Sequence, residues 1–171
     1  MIEKILDLHI HGKYSRACSP RLELPIIAKT CEERGIDVLV TGDMTHPIWF
    51  SHMKEWLVED TEGVYKLKDD SSKTRFILGT EVAVIKKDKG KTRRVHHCLF
   101  APNLEVVEKF NKMLDQRGFN LKADGRPILG VTSKQLLEMC LETDERMQMI
   151  PAHVWTPWFG VFGSKGGYDS L

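Results

Sequence analysis

The sequence predicts an α/β fold, a sheet or barrel whose functional loops follow the ends of its strands. Three observations carry this expectation. Strand-like and helix-like periodicities alternate along the 171 residues. Pro, Gly, Asn and Thr stand where helices between those strands need starts and stops. Six of the seven histidines fall at or near the predicted strands or their ends. The length suits one domain with a real core, and 42% hydrophobic with 29% charged residues is ordinary globular composition.

The elements follow in order. "KILDLHI" reads as a first strand. In "LELPIIAKTCEERG", Pro25 lies near the first turn of a helix and Gly35 at its end. "IDVLVTG" is a short buried strand. Met44 to Asp70 reads as mixed, helical around Phe50 to Val58 and irregular after it. "RFILGTEVAVI" and "RRVHHCLFAP" form two strands of a hairpin joined by a Lys- and Gly-rich tip. Asn103 caps the helix "LEVVEKFNKMLDQRG", which stops at Gly118. Thr132 with Gln135 three residues later is a capping box ahead of "KQLLEMCLE". "MQMIPAH" is a last strand, followed after His153 by an aromatic, Gly-rich loop.

Several classes are disfavoured. There is no apolar run of about 18 residues and no basic-then-apolar start, so a soluble, cytoplasmic chain without membrane contact is expected. Cys18, Cys31, Cys98 and Cys140 form no C-x-x-C, which argues for reduced, buried thiols rather than a zinc ribbon or disulfide framework. The net charge of +1 does not by itself call for nucleic acid. "KKDKGKTRR", Lys86 to Arg94, is a local basic cluster and reads as a solvated hairpin tip.

The histidines carry the chemistry. Residues two apart on a strand share a face, so His9 and His11 can converge on one cation. Asp43 and His46 follow the second strand, Glu81 follows the "GT" of the third, His96 and His97 lie in the fourth, and His153 ends another. All are hard or borderline metal ligands, gathered where an α/β barrel builds its site. Arg126 in "DGRP" and Lys165 in "GSKGG" are candidates to clamp phosphate oxygens, or are exposed loop cations. Trp155, Trp158, Phe159 and Phe162 either stack a base at the mouth of the site or plug the end of the barrel.

These motifs resemble the polymerase-and-histidinol-phosphatase (PHP) metallophosphoesterase family. "SRACSP", "TGDMTHPIW", "DGRPILG" and "IPAHVWTPWFGVFGSKGGYDS" resemble the branch containing archaeal endonuclease Q and its bacterial relatives, over Leu6 to Leu171. The resemblance implies a PHP-type distorted (β/α)7 barrel and up to three divalent ions, zinc first, with manganese, magnesium or iron as alternatives. His9 and His11 would share one metal, Glu81 would bridge it to a second completed by His96 and His153, and Asp43 or His46 would belong to a third. His96 rather than His97 is assigned by the family pattern, and neighbours on a strand face opposite ways. His52 is expected on a solvated helix face. Glu81, Asp43 and Arg126 are the catalytic candidates, and Arg126, Lys165, Trp155 and Trp158 the substrate-binding ones. The implied activity is a metal-dependent endonuclease nicking DNA beside deaminated bases, hypoxanthine or uracil, through a metal-activated water. A PHP phosphatase for a small phosphomonoester, or an inactive metal-binding part-domain, are the alternatives.

The family's late Asp-x-His has no counterpart before "GGYDSL". Residues 1 to 171 are therefore expected to form the N-terminal part of a single PHP domain, an incomplete barrel without its last strands and ligands. Its open edge would be covered by a further segment or a second copy of the chain.

Overall fold

A computed structural model describes residues 3–169. The core of the sheet is parallel: β1 (Leu6–Asp7) pairs with β2 (Val38–Val40), and β2 with the start of β5 (Arg75–Asp88). Between β1 and β2 runs α1 (Leu24–Arg34), with proline in its first turn and Gly35 as its left-handed C-cap. Its buried stripe of Leu24, Ile27, Ala28 and Cys31 joins the main core with Leu39, Trp49, Phe76 and Phe110.

After β2 the chain enters α2 (Pro47–Trp56), three residues earlier than predicted because His46 caps it with Pro47 in its first turn. The stretch expected to be irregular is instead a hairpin, β3 (Leu57–Thr61) and β4 (Val64–Leu67), whose Tyr65 pairs with Phe76 of β5. The long hairpin of β5 and β6 (Lys91–Ala101) forms as predicted, in register from Leu78↔Ala101 to Asp88↔Lys91. α3 (Leu104–Gln116) begins at Asn103, whose side chain accepts from the Val106 N–H at 2.9 Å. A two-residue β7 (Ile128–Leu129) adds parallel to β5; nothing in the periodicity announces it. α4 (Ser133–Thr143) carries the predicted Thr132–Gln135 capping box, and β8 (Gln148–Pro151) pairs antiparallel with β6.

The fold is thus mixed α/β with an open sheet. It departs from a repeated β/α pattern because both hairpins return antiparallel; parallel return needs a crossover of a dozen or more residues, and neither has one. β1 and β8 each have a single partner strand. Their exposed apolar side chains, Leu6 at 51% and Ile150 at 51%, make both edges unusually greasy for free strands. The basic tip is not wholly solvated: Arg93 is buried and donates to the Gly167 carbonyl and to Asp169, pinning the C-terminal loop to β6. No helix among the described residues is long and apolar enough to cross a membrane.

Candidate metal centre

Glu81 is the centre of the arrangement. It sits in the middle of β5 rather than after a strand, because pairing with β6 carries the strand on to Asp88. Its side chain is 1% exposed, and four imidazoles converge on it. Oε1 lies 3.2 Å from His9 Nε2, 3.0 Å from His96 Nδ1 and 3.0 Å from His153 Nε2. Oε2 lies 3.3 Å from His11 Nε2 and accepts from Arg126 Nη1 at 3.0 Å. Ligand atoms of His9, His11 and Glu81 lie within 4.8 Å of one another, as do those of Glu81, His96 and His153.

Each ring reaches this point by a different route. His9 and His11 lie beyond β1, whose ladder stops at Asp7, so they are not in a strand as predicted. Gly42 substitutes for a ladder here: at φ +63° its missing Cβ leaves room for the Ile10 carbonyl, which a side chain would meet at 2.8 Å. His96 comes from β6 opposite Ala83, on the Glu81 face, while its neighbour His97 turns away to Ser133 Oγ at 2.8 Å. His153 follows β8 at a positive φ of 30° and stacks beside His9 with ring centroids 6.0 Å apart.

Asp43 joins neither group of three. Its Oδ1 lies 3.2 Å from His11 Nδ1, and its Oδ2 accepts from the Gly12 N–H at 2.7 Å and from Ser15 Oγ at 2.8 Å. The carboxylate therefore stands behind His11 and aims the opposite ring nitrogen at Glu81, the usual relation of an orienting carboxylate to a ligating imidazole. His46 also joins no group among the described residues: its Nδ1 accepts from the Trp49 N–H, and its ring stacks on Tyr14 at 4.2 Å. His52 is not on a solvated face; it packs against Tyr14 and Trp49.

Of the substrate candidates, Arg126 reaches the centre through Glu81. Lys165 is exposed and makes no side-chain hydrogen bond or ion pair among the described residues. The aromatic loop divides in two. Phe159 stacks on His96 at 4.3 Å, while Trp155, 78% exposed, pairs with Phe162 at 5.0 Å, and Trp158 is 57% exposed. Ser15, Cys98 and Phe159 support the centre without having been singled out for it. Cys98 had a signal: it is two residues from His96 on the same strand and so faces the same way, opposite Glu81 in the ladder.

The electrostatics follow from this crowding. Burial alone would push Glu81 up, but hydrogen bonds from His11, His9 and His96 outweigh it and hold the carboxyl well below the usual range. His9 is raised to about 10 by its contacts with Cys98 and Glu81, and His11 to about 9 by Asp43 and Glu81. Burial lowers His96 and His46.

His97 is held down to about 4 by burial and by His96. Between that value and the unfolded 6.5, the unfolded chain binds a proton that the folded chain refuses. Stability present above pH 6.5 is therefore lost as the pH falls toward 4, by at most about 3 kcal/mol for this one group. Urea unfolding at the two pH values should show a smaller loss in His97→Gln than in the parent; an equal loss would assign the acid sensitivity elsewhere.

No protein-family profile matches the chain. An uncharacterized protein of Methanocaldococcus jannaschii is 28% identical over 152 residues, 89% of this chain but 16% of that protein. The crystal structure of the lesion-specific endonuclease PfuEndoQ from Pyrococcus furiosus overlays with a TM-score of 0.79 at 32% identity, covering 97% of this chain and 38% of that one. An endonuclease Q complex with a 27-mer duplex carrying an abasic lesion at the active site overlays with the same TM-score at 33% identity and the same coverage. The chain spans only a minor part of each of these proteins, and its fold is shared with a segment of endonuclease Q.

Proposed function

We propose that this chain is the metal-binding part of a PHP-type phosphodiesterase, a DNA endonuclease that nicks beside deaminated bases. The observation that carries the reading is the convergence of four imidazoles on one buried carboxylate. A donor set of this kind, four neutral-nitrogen ligands around a shared carboxylate, suits zinc and its neighbours in the first transition row. His9, His11 and Glu81 would hold one divalent ion, and Glu81, His96 and His153 a second. Bound there, the ions supply a water acidic enough to give hydroxide near neutral pH and neutralise charge on a phosphodiester.

The remaining steps belong to the side chains. Asp43 fixes the ring of His11. Arg126, half-exposed at the rim, is free on its outer side to bind a non-bridging phosphate oxygen. Trp155, Phe162 and Trp158 offer stacking surface to bases next to the cut. Lys165 adds a phosphate contact on the same loop. The likeness to endonuclease Q supports DNA as the substrate and endonuclease as the activity.

The test is a nicking assay on labelled duplexes that differ only at one base: hypoxanthine, uracil or the normal parent. The expected result is lesion-dependent nicking that chelation abolishes and that zinc, manganese, magnesium or iron restores. Chelator-resistant nicking would overturn the metal reading, and hydrolysis of small phosphomonoesters with no action on DNA would overturn the substrate.

A further inference from the structure

A cavity of about 660 Å³ opens between α2, α3 and the loop that follows α3, within the ~300–1,000 Å³ range of small-molecule sites. Two buried polar atoms of residues lining it have no hydrogen-bond partner among the described residues: Thr45 Oγ1 and Asn111 Oδ1. Thr45 is 0% exposed. Folded chains rarely leave such groups unpaired without a ligand or water to meet them.

The two atoms have defined roles. Asn111 Nδ2 donates to the Met44 carbonyl at 2.9 Å, which fixes the amide and leaves Oδ1 as an acceptor. The Thr45 hydroxyl is free to donate. Together they ask for a ligand with an N–H beside a carbonyl. The lactam edge of hypoxanthine or uracil has that order; adenine and cytosine present a bare ring nitrogen where the lactam carries N–H. Phe50 and Phe119 supply apolar wall, and Lys112 and Lys122 supply positive charge for flanking phosphates.

The cavity is also in the right place. Thr45 is two residues beyond Asp43, so their Cα atoms are at most about 7.6 Å apart. Asn120 lines both this cavity and a second one, of about 470 Å³, that is lined by His96 and Arg126. A strand cut at the Glu81 centre has a continuous path to it.

We propose that this cavity receives an extruded deaminated base, with Asn111 Oδ1 accepting from the lactam N–H and the Thr45 hydroxyl donating to the adjacent carbonyl. The inference rests on the reading that the chain acts on DNA bearing such lesions, and it adds the residues that read them. Extrusion is the general solution for enzymes that must inspect a base inside a duplex.

Thr45→Val keeps the side-chain shape and removes the hydroxyl; Asn111→Ala removes the acceptor. In each, the ratio of nicking at hypoxanthine or uracil to nicking at an abasic site, which has no edge to read, is expected to fall about 10- to 100-fold. Equal falls on all three duplexes would assign these residues to structure and overturn the proposal. A direct reading of the cavity uses the full chain and free nucleosides. Deoxyinosine is expected to shift the Asn111 side-chain amide signals in ¹⁵N-correlated NMR spectra, and N1-methyldeoxyinosine, which lacks the N–H, to leave them in place. No shift, or equal shifts, would overturn the proposal whatever the nicking assay gives. Loss of nicking on every duplex with the expected NMR result would instead overturn the nuclease reading alone.

Discussion

Glu81→Gln is expected to remove bound metal from the chain and to lower nicking by about a thousandfold or more. Glu81 is the member common to both groups of ligand atoms, so one substitution reaches both. The loss also has a sign that a merely destabilising change lacks. Each carboxylate oxygen faces imidazole nitrogens, and Oε2 also faces the Arg126 guanidinium. A neutral amide offers one acceptor and one donor to a set of groups that all need an acceptor. Removing an anionic bridge forfeits several kcal/mol of charge stabilisation, and about 4 kcal/mol is already a thousandfold in rate.

Two measurements separate this from unfolding. Elemental mass spectrometry after dialysis against metal-free buffer should find metal in the parent and none in the variant. In the metal-free chain, His9 and His11 owe part of their raised values, about 10 and about 9, to Glu81. Their ring titrations in Glu81→Gln should therefore move down toward 6.5 while the far-ultraviolet circular dichroism is unchanged. Full metal content in the variant would mean that Glu81 is not the bridge.

How much of this was legible in the sequence depends on how local each determinant is. Asn103, Thr132 with Gln135, and Pro25 with Gly35 act within one turn of their own helices, and each does in the structure what its position announces. Parity along a strand separated His96 from His97 for the same reason. The β3–β4 hairpin was missed although its signal was present: Val58, Tyr65 and Leu67 flank Gly63 at a positive φ of 74°, as a turn between strands requires. β7 was not legible, since two residues become a strand only because β5 lies beside them. His46 shows the limit of reading ligands by residue type. Its ring is the right chemistry in the right loop, but a local donor, the Trp49 N–H, claims it as a helix cap. Asp43 is the converse case: its place near the centre was foreseen, while its relation to His11 depends on Gly12, Ser15 and Gly125, which only the folded chain brings together.

That last dependence sets the second large effect. Gly125→Ala, which alters no titratable group, is expected to weaken metal retention and nicking by about 10- to 100-fold, the usual consequence of disturbing the support behind a ligand. A Cβ at residue 125 would stand 2.0 Å from Asp43 Oδ2 and 2.4 Å from Ser15 Oγ, so something must move. The carboxylate is held by the Gly12 N–H and Ser15 Oγ on one oxygen and faces His11 with the other, and cannot retreat without releasing them. The loop at residue 125 cannot retreat freely either, because the Gly125 N–H donates to the Tyr14 carbonyl at 3.1 Å and the next residue is Arg126, bound to Glu81. Whichever side yields, His11 or Arg126 is displaced from Glu81, and misplacement of about 1 Å is enough for a hundredfold loss. Gly130→Ala is the control, since a Cβ there meets nothing within 4 Å. It is expected to leave chelator competition and nicking within about twofold, the scale of a substitution that touches nothing. Equal behaviour of the two variants would mean that Asp43 does not govern His11, and that the metal centre stands without its support.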